Sequence, residues 1–198
     1  MEKRTFLWVY ESHGRAIYCD KMSEIVIHIL QALWFFLPAY VANMTPVFIK
    51  KLKLLDMPVN KKYFGEHKTQ KGIFFGAISG AATAFLQMLL YSKYRFAIAL
   101  SLLDYTTIPI LTFGFLLGFG ALLGDLIKSY FKRKAGIKPA VSWIPFDQLD
   151  FVVGGLVLSS IIYFPGWKTV IIILTLSPLL HMASNYIGYK IGLKKTKL

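Results

Sequence analysis

Five apolar stretches, each close to bilayer-spanning length, fill most of this chain and leave it few ways to fold. They run from Ile25 to Ile49, Gly72 to Tyr91, Thr107 to Ile127, Phe146 to Phe164 and Thr169 to Tyr189. A helix needs about 20 apolar residues to cross hydrocarbon. The segment Phe96 to Leu103 is too short to cross alone. Pro165-Gly166 closes the fourth stretch, and Pro178 interrupts the fifth. Alternation of period two is absent, and an open sheet edge could not satisfy its backbone in lipid, so the expectation is an all-α polytopic membrane protein with five transmembrane helices. Composition agrees: 56% hydrophobic and 17% charged residues, with 198 residues in all, exclude an ordinary soluble domain and make one embedded unit of residues 22–198.

Charge placement tests that count. Seven Lys follow the first span (Lys50, Lys51, Lys53, Lys61, Lys62, Lys68 and Lys71). Five basic residues follow the third (Lys128, Lys132, Arg133, Lys134 and Lys138), and four lie in the tail (Lys190, Lys194, Lys195 and Lys197). The opposite loops carry only Lys93, Arg95 and Lys168. The positive-inside bias puts both long loops and the C-terminus in the cytoplasm and the N-terminus outside, in a multi-pass cell-membrane protein. A net charge of +13 distributed this way points to anionic lipid headgroups or phosphorylated substrates, and not to nucleic acid. Residues 1–21 have no apolar core of signal-peptide length and read as an appended arm, with Met22 available as an alternative start. Cys19, the single cysteine, can form no internal disulfide.

Small residues recur every four positions in "GIFFGAISG" (Gly72, Gly76, Gly80) and in "GFLLGFGALLG" (Gly114, Gly118, Gly120, Gly124), spacing that lets membrane helices approach closely. No strand precedes these glycines, so they are no dinucleotide fingerprint.

The loop between the third and fourth spans carries the chemistry. If the third helix continues past the apolar run, Asp125, Lys128 and Lys132 share one face, while Asp147 and Asp150 stand at i and i+3 where the fourth span starts. An acid at a helix start can simply cap it, and lysines at a membrane edge can simply meet headgroups. Three carboxylates converging from two helix ends, however, repel one another unless a cation holds them, and hard oxygen ligands suit Mg²⁺. In "FGEHKTQKG", Lys68 and Thr69 precede the second span and offer an ammonium, a hydroxyl and helix-start amides to a phosphate. His67, with no partner nearby in sequence, reads as a loop residue.

Five segments in order, "LPAYVANMTP" (37–46), "FGEHKTQKG" (64–72), "GDLIKSYFKR" (124–133), "GIKPAVSWIPFDQLD" (136–150) and "HMASNYIGYKIGLKK" (181–195), resemble the CDP-archaeol synthase family, within the CDP-diacylglycerol synthase class. The resemblance implies Mg²⁺-dependent transfer of a cytidylyl group from CTP to a lipid phosphate of the unsaturated archaetidic acid type at a cytoplasm-facing site. It places the family's Asn-x-x-Pro on Asn43 and Pro46 and its Lys-Thr on Lys68 and Thr69. The Gly-Asp and Ser-x-x-Lys-Arg fall on Gly124, Asp125, Ser129, Lys132 and Arg133, and the Asp-Gln-x-Asp on Asp147 and Asp150. The expected site is therefore Asp125, Asp150 and Lys132 for catalysis, Asp125, Asp147 and Asp150 for metal, and Asn43, Lys68, Thr69, Lys128, Ser129 and Arg133 for substrate. Two departures stand out: Pro58-Val59-Asn60 and Gln70-Lys71 replace a Pro-Ile-Asp and a Trp-Arg around the Lys-Thr loop. The absence of further signature residues around Lys138-Pro139 favours the smaller archaeal-type branch.

The residues suit that chemistry unaided. A lipid phosphate oxygen is already ionised near neutral pH, so no Ser or His must be activated, and charge neutralisation is the main requirement. Two alternatives remain at this stage: a synthase acting on phosphatidic acid, whose tails present the same hydrocarbon, and a small transporter built on Asn43, His181 and Asn185. The latter would need mid-membrane polar groups and an inverted repeat, which is not apparent.

Overall fold

A computed structural model describes residues 21–51, 57–65, 68–137, 141 and 143–190. The N-terminal arm, His67, Lys138 and the last lysines of the tail lie outside the described residues. Every element described is helical: α1 (Lys21–Phe48), α2 (Lys61–Phe64), α3 (Gln70–Lys93), α4 (Arg95–Leu100), α5 (Ile110–Lys134), α6 (Phe146–Ser159) and α7 (Trp167–Lys190), with a 3₁₀ turn at Ile49–Lys51. Pro58 and Thr69 form an isolated antiparallel bridge.

Three helices are long and apolar enough to cross a membrane, Glu24–Phe48, Gln70–Lys93 and Ile110–Lys134, and α7 contributes a shorter apolar run, Trp167–Ala183. The third helix continues seven residues past the expected end at Ile127. Nothing in Lys128–Lys134 breaks a helix, and it stops only where Gly136 takes φ +73°. There Gly136 N–H donates to Arg133 O at 3.0 Å and Ile137 N–H to Lys132 O at 3.1 Å, a Schellman closure. The fourth stretch, expected to run to Phe164, is shorter as a helix. The Ser159 and Ser160 hydroxyls both donate to Leu156 O, at 3.3 and 2.6 Å, and Gly166 at φ +83° turns the chain. α6 thus rises only about 21 Å, less than the hydrocarbon thickness.

α5 sits at the centre, packed against α1, α3 and α6. Glycines make this possible. A Cβ on Gly80 would lie 2.7 Å from Gly114 O and 2.9 Å from Gly118 Cα, so α3 and α5 touch backbone to backbone. Gly120 and Gly124 do the same against Gly154 of α6. Phe35, Phe36, Phe113, Leu117, Phe151, Val152 and Ile173 fill the remaining interior, with Phe36 edge-on to Tyr40 and tilted against Phe151. Val153, Val157, Ile161 and Ile171 point outward, as lipid-facing side chains do.

Two prolines within α1 each free a carbonyl one turn back. Pro38 frees Trp34 O, and the buried Gln87 amide of α3 donates to it at 2.7 Å. Pro46 frees Ala42 O, which faces Gly76, where a Cβ would come within 2.9 Å. The α1–α3 contact is therefore built on α1's own irregularities.

Candidate active site

The charged ends of α5 and α6 meet at one corner of the bundle, joined by the strand-like approach to α3. Val59 N–H donates to Lys68 O at 2.8 Å and Gln70 N–H to Met57 O at 2.9 Å, which fixes the backbone on which Lys68 stands. Thr69 is the N-cap of α3, its hydroxyl accepting from Gly72 N–H at 3.3 Å. The Gln70 and Gly72 amides are thus already engaged, and this corner presents the Lys68 ammonium more than a set of open amides. Lys68 bonds directly to Asp125 Oδ2.

On α5, Asp125, Lys128 and Lys132 share the expected face. The close fit of Gly124 beneath the Asp150 carbonyl, where any Cβ would collide with backbone, brings α6 near enough for its acids to join them. Lys128 Nζ lies 3.2 Å from Asp125, 2.7 Å from Asp147 and 3.0 Å from Asp150. Lys132 reaches Asp147 at 2.8 and 3.1 Å. Asp147 also accepts from Trp143 N–H, tying the turn before α6 to its first turn, and Asp150 Oδ1 accepts from Phe151 N–H at 2.6 Å. The Asp150 carboxylate is the most enclosed of the three, with 5% of its side chain exposed. Three carboxylates from two helices therefore converge on one ammonium, with Lys68 and Lys132 flanking it. Among the described residues no three His, Cys, Asp or Glu side chains stand at metal-binding spacing, and the Lys128 ammonium lies among the three acids.

A model of the CDP-archaeol synthase family matches residues 24–198. The chain belongs to that family. Curated CDP-archaeol synthases from Methanococcoides burtonii, Methanospirillum hungatei and Methanococcus vannielii are 37%, 38% and 39% identical to it. The matches cover 80%, 80% and 87% of this chain and 98% of each relative. A solved structure described as an intramembrane enzyme for archaeal membrane lipid biosynthesis superposes with a TM-score of 0.61 at 28% identity, over 79% of this chain and 94% of that one.

The expected site residues fall unevenly on this corner. Lys68, Asp125, Lys128, Lys132, Asp147 and Asp150 form one ion-paired group. Arg133 points aside, its Nη1 donating to Ile137 O, with Nε buried and unpartnered beside Gly65. Ser129 is buried and donates to Asp125 O at 2.7 Å, so its hydroxyl serves its own helix. Asn43 is one turn beyond Tyr40, on the face of α1 that meets Phe151. The transporter-type set is not a cluster of presented polar groups: His181 packs edge-on to Phe151 with ring centroids 5.8 Å apart, and the Asn185 side chain lies outside what is described.

Lys71 and Gln148 were not among the expected site residues. Lys71 is buried, with Nζ 3.2 Å from Lys50 O, bracing the start of α3 against the end of α1. Gln148 is buried between the two acids of α6, with Oε1 unpartnered. Its signal was the Asp-Gln-x-Asp segment itself, in which it is the glutamine.

Proposed function

We propose that this chain is a membrane cytidylyltransferase that moves CMP from CTP to an archaeal-type glycerol lipid phosphate, giving CDP-archaeol and pyrophosphate. An oxygen of the lipid phosphate attacks the α-phosphorus of CTP, a new P–O–P bond forms, and the β,γ-pyrophosphate leaves with the bridging oxygen. The observation that carries this reading is the gathering of Lys68, Lys128 and Lys132 with Asp125, Asp147 and Asp150 at one end of an apolar bundle, in a chain of this family. Such a group can hold a polyphosphate against a membrane surface and has no nucleophile of its own to offer, which suits a reaction whose nucleophile belongs to the substrate.

Lys68, Lys128, Lys132 and Arg133 take the phosphates, and Asn43 faces the lipid headgroup. Thr69 and Ser129 serve by fixing the backbone that carries Lys68 and Asp125. Asp125, Asp147 and Asp150 are the residues that would hold Mg²⁺: they are hard oxygen donors already converging on one cation. When bound, Mg²⁺ supplies charge neutralisation to the triphosphate and the departing pyrophosphate. The preferred acceptor is the unsaturated geranylgeranyl-ether phosphate. In the cell membrane the chain has five spans, with α6 crossing together with the turns that follow it, an external N-terminus and a cytoplasmic site.

Purified protein given labelled CTP, Mg²⁺ and either geranylgeranyl-ether or fatty-acyl-ester phosphate should form CDP-lipid faster with the ether. A preference for the ester would remove the archaeol assignment, and no product from either would remove the activity. Reporters fused at the two termini should read external and cytoplasmic respectively; a cytoplasmic N-terminus would overturn the five-span arrangement.

A further inference from the structure

We infer that Lys128 is an exchangeable internal cation: it holds the three carboxylates together in the metal-free protein and leaves them when a divalent ion arrives. This rests on the Mg²⁺ reading above and assigns one residue of this chain a role within it.

Asp125 and Asp150 are forced together by backbone, since Gly124 and Gly154 let α5 and α6 touch, so the acids cannot relax their repulsion by moving the helices apart. Lys68 reaches only Asp125, and Lys132 only Asp147, among the ion pairs of this corner. Among the described residues Lys128 alone meets all three acids, at 2.7 to 3.2 Å. Among the described residues it is also the sole ion-pair partner of Asp150, the most enclosed acid. Among the described residues three carboxylates are thus balanced by three ammonium groups, and the cluster is closed on itself.

That closure conflicts with metal binding. Mg²⁺ draws carboxylate oxygens to about 2.0–2.1 Å, and an ammonium cannot keep its place among the same oxygens beside a divalent charge. Lys128 must therefore swing out. Its long unbranched side chain, on the last two turns of α5, permits that without helix movement. Freed, its ammonium stands at the rim of the site, where an incoming triphosphate would meet it. Binding of metal and presentation of a phosphate-binding lysine become one event.

The test reads the lysine itself. Detergent-solubilised wild-type protein is acylated with an amine-reactive ester, with Mg²⁺ or with chelator and no nucleotide, and each lysine is quantified by mass spectrometry. Mg²⁺ should raise labelling of Lys128 several-fold and leave that of Lys134, which has no part in the cluster, unchanged. Thermal unfolding across a Mg²⁺ titration gives the second readout. Lys128→Met should lower Tm in chelator, gain more from Mg²⁺ than wild type does, and half-saturate at a concentration about tenfold lower, because no resident cation must be displaced. Lys132→Met removes the same charge without clearing the centre and should shift half-saturation less. Lys128→Gln replaces the Met variant if that protein cannot be purified, and the wild-type labelling stands independently of either. If Mg²⁺ raises Tm but Lys128 labelling stays level or falls, the exchange is wrong and the metal reading survives. If Mg²⁺ raises Tm in no protein, with or without CTP, the metal reading falls and the exchange falls with it.

Discussion

The two ends of this bundle satisfy their polar groups in opposite ways. At the end away from the acids, three polar side chains each have one fixed carbonyl: Gln87 bonds Trp34 O at 2.7 Å, Gln31 bonds Ala99 O at 2.9 Å and Tyr163 bonds Leu102 O at 2.8 Å. At the other end one ammonium serves three carboxylates, and two of those carboxylates have further lysines. A neutral donor matched to one carbonyl gains nothing by moving, and Gln87 mends the break that Pro38 makes in α1. A charged group shared among several partners can lose one and keep the rest. The first arrangement holds a fold; the second can accept a ligand.

Removing charge from the second end should have the largest effect. Asp125→Asn and Asp150→Asn should each lower turnover on the order of a hundredfold or more while membrane insertion and folding persist, because charge stabilisation is the main service the site renders. Near-wild-type turnover in both would place the chemistry elsewhere.

Next in size is the seam that creates the crowding. In Gly154→Ala the new methyl meets the Gly120 carbonyl and the Gly124 backbone, neither of which can yield as a side chain would. Stability should fall by about 3 kcal/mol, the upper part of the range for overpacking. Turnover should fall too, since Asp150 lies one turn away on the same helix. A thermal melt and an assay on one preparation check both. Retained activity with a lowered Tm would show that the acids need not be held so close.

At the opposite end, Gln87→Leu should cost about 1–2 kcal/mol by leaving Trp34 O unpaired in an apolar surround. Here kcat and the KM for CTP should stay at wild-type values in the protein that remains folded. A changed KM would mean that the two ends communicate.

The contrast also explains what could be read from the chain beforehand. Apolar length and lysine placement disclosed the helices, and the spacing Asp125–Lys128–Lys132 disclosed a shared face, because both follow from helix geometry. The extra two turns of α5 and the early end of α6 were hidden because hydropathy marks where lipid is tolerated, whereas α5 ends where Gly136 takes positive φ and α6 ends where Ser159 and Ser160 bond back to Leu156. Gln87 carried no signal at all, since its reason for being there is Pro38, 49 positions earlier in the chain. Likewise the matching of Lys128 to three acids depends on how closely α5 and α6 pack. The glycine pattern permitted that approach without stating its partner.

Ser129 offers the smallest effect and the finest test of the boundary between the two behaviours. It lies inside the charged corner, yet its hydroxyl behaves like the groups at the far end, donating once, at 2.7 Å, to the Asp125 carbonyl of its own helix. A serine bonded back to its own turn adds little to a helix that already pairs that carbonyl, so Ser129→Ala should change stability by less than about 0.5 kcal/mol. If the hydroxyl only shapes the backbone under Asp125, turnover and both KM values should stay within about twofold of wild type, far below what transition-state donors contribute. A selective rise in the KM for CTP, with Tm unchanged, would instead make Ser129 a donor that turns to the nucleotide on binding, and would move it from the fixed set to the exchangeable one.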